Sequence, residues 1–278
     1  MSSAKSEWSS VPGDKVSSSF KPSGGNCSKI PNAKVLWKKE EATNYTYGGD
    51  VPTTQPTYCK IQFPIPNNIG PPVLFYYRLT NFYQNHRRYV KSVDTDQLKG
   101  KAVSASTIKS GSCDPLRLDG NGKPYYPCGL IANSRFNDTF KSPVNVNVRG
   151  ASASSQTYEM SNKGIAWNSD KELYGETTYK LEDIAVPPNW RDQWPHGYTK
   201  QHPPPNLAED EGFQVWMRTA GLPAFSKLAL RNDDTTMQCG TYQVDILDSE
   251  YHFDRHLTWK SNDIQHFRSL NMEVRNQY

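Results

Sequence analysis

Apolar and other residues alternate over Cys59-Lys60-Ile61-Gln62-Phe63-Pro64-Ile65, a period of two that predicts a β-strand, with Pro64 marking a sheet edge or the strand's end. Pro71-Pro72 then breaks the chain, and the denser apolar run from Val73 to Leu79 predicts a second, more buried strand. Val144-Asn145-Val146-Asn147-Val148-Arg149 alternates strictly and predicts a strand with valines inward and amides outward. Gln214 to Arg218 and Thr241 to Ile246 predict two more. Leu222, Phe225, Leu228 and Ala229 are spaced like one face of a short helix. Pro187-Pro188 and Pro203-Pro204-Pro205 mark long irregular connections, and no internal repeat is visible. The pattern predicts a mainly β, antiparallel, sandwich-like architecture with short helices in its connections. Residues 1–50, poor in aliphatics and rich in Ser, Lys and Gly, read as irregular; 51–247 read as the β-rich domain and 248–278 as a polar C-terminal segment.

At 278 residues the chain is long enough for a sizeable core. Mean hydropathy is −0.78, yet 7 Trp, 16 Tyr and 10 Phe supply apolar area, which argues against full disorder. A net charge of +4 is too small to argue for nucleic acid by itself. Arg87, Arg88, Lys91, Lys99 and Lys101 with Tyr83 and Tyr89 are the only grouping that suggests it, so no nucleic-acid partner is expected. The first twenty residues are polar and Ser-rich, with no secretory signal, and no stretch approaches the ~18 apolar residues of a membrane span. Two features nonetheless favour an oxidising, lumenal setting. Cys113 and Cys128 bracket a polar loop rich in Asp, Gly, Pro and Tyr, a reasonable disulfide; Cys27 and Cys59 could pair likewise on a weaker warrant, and Cys239 is the odd one out. Asn26, Asn44 and Asn137 each begin an N-glycosylation sequon.

No active-site signature is present: no G-x-S-x-G, Walker A, G-x-G-x-x-G or H-E-x-x-H. His252 and His256 lie four residues apart near Asp248, Glu250 and Asp254, but in a polar tail with little to preorganise a metal, so neither metal nor cofactor is expected. His86 has no nucleophile beside it and reads as a structural histidine. Arg87 and Arg88 suit either an external phosphate or carboxylate or internal bracing among Tyr83 and Tyr89. Trp190 and Trp194 beside Pro195 read either as a sugar-stacking platform or, more commonly, as filling of a Pro-rich loop.

The densest signal is Tyr77-Arg78-Leu79-Thr80-Asn81-Phe82-Tyr83-Gln84-Asn85-His86-Arg87-Arg88-Tyr89-Val90-Lys91-Ser92, where aromatic, amide and basic residues interleave with almost no aliphatics after Leu79. Asp96 to Gly100, Pro127 to Thr139, Lys163 to Trp167, Pro188 to Trp190 and Phe213 to Pro223 follow in order. Together these blocks, spread from Cys59 to Ile246, resemble the ligand-effect-modulator or cell-division-control-fifty family, in a fungal-type form. The resemblance implies a non-catalytic accessory subunit of type-IV P-type ATPases, the lipid flippases. It implies a β-rich exoplasmic domain between two membrane spans, carrying N-glycans, with Asn137 at a family glycosylation position. It implies disulfides Cys27–Cys59 and Cys113–Cys128. It implies residence in endoplasmic reticulum, Golgi, endosomes and plasma membrane, the domain on the lumenal or extracellular side, and membrane association through the complex. Tyr83, Asn85, His86, Arg87, Arg88, Tyr89, Trp216 and Arg218 are the interface candidates; the same motifs serve equally well as internal bracing. Neither membrane span of the family is visible here, and Leu247 to Tyr278 does not carry the family's closing strand, which would leave a sheet edge open. A secreted carbohydrate-binding β-sandwich is the alternative.

Overall fold

The computed structural model describes residues 9–10, 35–41, 46, 57–146, 155–248 and 271–276. Its strands are β1 (Ser9–Ser10), β2 (Leu36–Glu41), β3 (Thr57–Ile65), β4 (Val73–Leu79), β5 (Thr139–Phe140), β6 (Val144–Asn145), β7 (Gln156–Thr157), β8 (Phe225–Asn232), β9 (Gly240–Asp248) and β10 (Asn271–Asn276). Its α-helices are short: α1 (Arg87–Lys91), α2 (Thr95–Leu98), α3 (Ala105–Ser110), α4 (Leu130–Asn133), α5 (Asn168–Lys171) and α6 (Glu211–Met217). One sheet runs β1-β2-β3-β9-β6-β7, with β5 also on β9, and a second runs β10-β4-β8. Every pairing between these strands is antiparallel. The sheets face each other where Phe75 and Leu230 of the second meet Val244 and Ile246 of the first. The fold is therefore a mainly antiparallel sandwich.

One row of β4 organises the interior. Val73 packs with Ile65, Ile69 and Tyr242. Phe75 lies between the sheets. Tyr77 and Leu79 enter the largest cluster, with Tyr126, Ile131, Trp190, Phe213 and Trp216. That cluster is a cap of short helices and loops, contributed mainly by the chain between β4 and β5 and between β7 and β8. It is pinned by the Cys113–Cys128 disulfide, whose cysteines are buried with Ile108, Leu116 and Tyr125.

The predicted strands at Cys59–Ile65, Val73–Leu79 and Thr241–Ile246 form as β3, β4 and the heart of β9. Pro64 lies past Gln62, the last β3 residue that pairs with β2, so its missing N–H interrupts no ladder on that side. Several expectations need correction. Residues 1–50 are not wholly irregular, because Leu36–Glu41 pairs along β3, with Glu40 bridged to Lys38 along β2 and to Lys60 across on β3. The Gln214–Arg218 strand is helix α6: Asp210 caps it, accepting from the Phe213 N–H at 3.0 Å, and Phe213, Gln214, Trp216 and Met217 all turn inward at helical spacing. The helix expected from Leu222 to Leu230 is strand β8. A register shift between Phe75 and Tyr76 makes Leu230 and Leu228 successive partners, so the extra residue breaks the period of two and imitates helical spacing. At Val144–Asn145 the phase is reversed. Asn145 is buried, paired in register with Tyr242 and close against Gly240, where a Cβ would come within 2.6 Å of its amide. The sheet edge expected to be open is covered, since β10 pairs with β4 along Val73–Arg78.

Two glycines show what fixes the cap. Gly129, the residue before α4, has φ 97°, and a Cβ there would sit 2.1 Å from the Ser92 carbonyl oxygen. Gly197 has φ 79° but open space around it. Gly129→Ala is expected to cost roughly 3 kcal/mol or more, from backbone strain plus a clash with main chain, while Gly197→Ala costs about 1 kcal/mol from strain alone. Denaturant midpoints of the two variants check this; equal losses would show that the Ser92 contact is not limiting.

Candidate functional site

The signature run begins as β4 and then turns. Asn81 adopts a left-handed conformation, φ 58°, and the Phe82 N–H donates to the Pro223 carbonyl at 3.1 Å. This brings residues 82–85 alongside residues 220–223. Gln84 is fully buried between the two segments: its Oε1 accepts from the Ala220 N–H at 2.9 Å and its Nε2 donates to the Tyr89 hydroxyl at 3.3 Å. The Ser134 hydroxyl donates to main-chain carbonyls of α4, so the Tyr89 hydroxyl donates to Ser134 Oγ, at 2.8 Å. Burial pushes the Tyr89 phenol up to about 12, so it stays neutral. Asn85 Nδ2 donates to the Gly221 carbonyl at 3.1 Å.

Helix α1 opens at His86, whose Nδ1 accepts from the Arg88 N–H at 3.3 Å. Its end is tied down by Ser92, which donates to the Asp114 carbonyl at 2.7 Å and accepts from the Leu130 N–H at 2.9 Å. Asp114 in turn takes Arg88 at 3.3 Å and Arg117 at 3.1 Å. A second fully buried amide, Gln97, donates to the Tyr125 carbonyl and the Tyr179 hydroxyl and accepts from the Cys128 N–H.

The outer surface of this framework is unusual. Tyr83 is 58% exposed, and Trp167 and Leu222 are each 69% exposed. Arg218 lies over the Trp167 ring at 5.4 Å and pairs with Asp170 at 3.1 Å. Asn85, His86, Arg87 and Arg88 are exposed as well. Of the eight interface candidates, six therefore lie at the surface, while Tyr89 is half-buried and Trp216 is enclosed, its indole N–H donating to the Ile131 carbonyl at 2.8 Å. Trp216 is a bracing residue.

The chain matches the model of the LEM3 (ligand-effect modulator 3) family / CDC50 family over residues 21–266. The chain belongs to this family. It is 42% identical to the phospholipid-transporting ATPase accessory subunit CDC50 of Chaetomium thermophilum over 91% of this chain and 60% of that protein. It is 48% identical to the accessory subunit CRF1 of Saccharomyces cerevisiae over 68% of this chain and 46% of that protein. It is 38% identical to cell cycle control protein 50A of Bos taurus over 70% and 55%. The chain spans about half the length of the curated relatives it matches.

The LEM3/CDC50 blocks, scattered in sequence, assemble around the cap. Trp190 and Trp194 are buried and stacked at 5.7 Å, their indole N–H groups donating to the Ala132 and Pro203 carbonyls, so they offer no sugar platform. Arg135 forms a two-point bridge to Asp210, at 2.7 and 2.9 Å, and lies over the Trp190 and Phe213 rings. Among the described residues no group of His, Cys, Asp and Glu is placed to hold a metal, and His252 and His256 lie outside them. So do Asn26, Asn44 and Cys27. Two expectations about the cysteines need correction: Cys239, expected to be the odd one out, is disulfide-bonded, and with Cys113 joined to Cys128 this takes up one of the two remaining cysteines, so the implied Cys27–Cys59 pairing does not stand. Asn137 is half-buried between α4 and β5. The exposed Trp167 and Leu222 fall inside two of the quoted blocks, and their apolar character beside charged residues was the available signal.

Glu211 joins two of these blocks. Its buried carboxylate accepts from Lys171 Nζ at 2.8 Å and from the Ala166 N–H at 3.0 Å. Burial would raise its pKa, but Lys171 and the backbone donors of Ala166 and Gly164 outweigh that and hold it at about 2. A depressed carboxylate pKa adds stability that is complete above the unfolded value near 4.5 and is lost as pH falls towards 2. The expected contribution is about 3 kcal/mol at neutral pH. Unfolding free energy measured against pH should be lower for Glu211→Gln at pH 7 and should converge on the unsubstituted protein near pH 2. Parallel curves would show that this carboxylate is not the group responsible.

Proposed function

We propose that this chain is the exoplasmic portion of a non-catalytic accessory subunit of a type-IV P-type ATPase that moves phospholipid towards the cytosolic leaflet. In this role it accompanies the ATPase out of the endoplasmic reticulum and supports its transport cycle. The observation that carries the reading is the match to proteins named phospholipid-transporting ATPase accessory subunits, which extends over most of this chain. The geometry supports it: buried amides and hydroxyls hold a rigid wall whose outer side mixes aromatic, leucine and arginine side chains, the composition of an interface centre. The Cys113–Cys128 disulfide suits an oxidising lumen, and N-glycans on Asn26, Asn44 and Asn137 belong to the same reading. Among the described residues no helix is long and apolar enough to cross a membrane, so anchorage comes through the complex or through segments beyond this domain. Residues 51–247 are the working domain, flanked by β2 and β10.

The experiment is co-purification with a panel of type-IV P-type ATPases, using the chain carrying the family's membrane spans. Capture of one ATPase is expected. The double variant Tyr83→Ala/Arg87→Ala, at exposed positions, should reduce capture about tenfold while leaving the melting temperature within a degree or two. A folded protein that captures none of the panel would sink the proposal.

A further inference from the structure

A cleft of about 650 Å³ opens beside the wall, between β4, β8, the end of α6 and the loop from Gly164 to Asn168. Its lining carries three cations, Arg218, Lys227 and Arg231, against one carboxylate, Asp170. Arg231 is occupied by Asp233 and the Gly164 carbonyl. Lys227 is 7% exposed, and its ammonium spends two of its three N–H bonds on the Val215 and Arg218 carbonyls, at the C-terminal end of α6. Arg218 gives one N–H to Asp170, and its other donors have no acceptor among the described residues. Trp167, exposed and stacked under Arg218, forms the rim. A buried ammonium beside an exposed guanidinium that gives only one of its N–H groups to a carboxylate is an arrangement that a further anion satisfies well. In keeping with this, burial first, and then repulsion from Arg218, bring Lys227 down to about 8, with Asp170 opposing.

We infer that this cleft receives a carboxylate side chain, an Asp or Glu presented on a loop of the partner protein, with Arg218 as its principal ligand, Lys227 as supporting charge and Trp167 covering the contact from water. A protein loop is favoured over a free anion because the charged cleft is continuous, through Thr219 and Ala220, with the exposed Leu222 and Tyr83 side of the wall. Charge complementarity and an aromatic rim at one point are the features of a binding hot spot. The inference rests on the accessory-subunit reading.

The test uses the span-carrying protein with the ATPase it captures. Arg218→Ala and Arg218→Glu are surface changes expected to leave the fold intact, verified by an unchanged melting temperature. Arg218→Ala should lower capture at least fivefold and flatten its dependence on salt, and Arg218→Glu should lower it further. An Asp→Lys or Glu→Lys scan of the ATPase's exoplasmic loops should then find one position that restores capture by Arg218→Glu. Trp167→Ala gives a second reading, with a smaller loss and an unchanged salt slope. If the unsubstituted protein captures the ATPase and Arg218→Glu does so equally well, the cleft assignment is overturned while the accessory-subunit reading stands. If capture falls but no loop substitution restores it, a carboxylate partner is excluded. If the unsubstituted protein captures nothing, both fail together.

Discussion

The inward row of β4 is the constraint on which the remainder depends. Val73, Phe75, Tyr77 and Leu79 lie on one side of a single strand, yet each of three apolar clusters contains at least one of them. The strand is hydrogen-bonded on both edges, to β8 and to β10. Its direction is thus fixed by two ladders, and the direction in turn fixes how the sandwich meets the cap. The aromatic stack of Tyr77 on Phe136, centroids 4.0 Å apart, is the point where that junction is tightest.

The cap has little regular secondary structure, so its main-chain groups need other partners. Gln84 and Gln97 supply them. Each is fully buried, and each connects segments far apart in sequence: 84 to 220, and 97 to 125 and 128. A buried amide that is satisfied at both ends acts as a positional pin, because any shift leaves a donor or acceptor without a partner in a medium of low dielectric. That is the physical reason a surface made of loops can still present Tyr83, Arg218 and Trp167 in fixed relation.

Where two-fold alternation or a dense apolar run governed packing, as at β3, β4 and β9, the element was legible in the sequence. It was not legible where a local exception set the geometry. The bulge opposite Phe75 disguised β8 as a helix, and the Asp210 cap with a single buried turn turned an apparent strand into α6. Asn145 inverted the phase of β6 because its partner across the strand is Tyr242 and its neighbour is a glycine. β2 was missed because its sequence, Leu-Trp-Lys-Lys-Glu-Glu, is two-thirds charged and has no apolar alternation. The run from Tyr77 to Ser92 stood out as important from its composition, but composition could not separate the inward Gln84 and Tyr89 from the outward Tyr83 and Arg87. For Trp216 the sequence left interface and internal bracing open, since an indole in a family block carries no mark of which way it faces; it lies inward. The role of Lys227 was invisible, as a lysine in a strand pattern ordinarily reads as solvent-facing.

The sandwich also sets a schedule for synthesis. Gln62 of β3 donates to Gln243 of β9 at 3.0 Å, across 181 residues of chain. At ribosomal rates of ~5–20 residues per second, the interval between making one strand and its partner is about 10–40 s. For that time β3, with β2 already available on one edge, has lost the ribosome's shelter without gaining β9 on the other, and β4 waits similarly for β8. The nascent domain therefore spends far longer as an unclosed sheet than elementary strand pairing requires, a window in which chaperones, rather than the chain's own contacts, must keep its edges apart from those of other molecules.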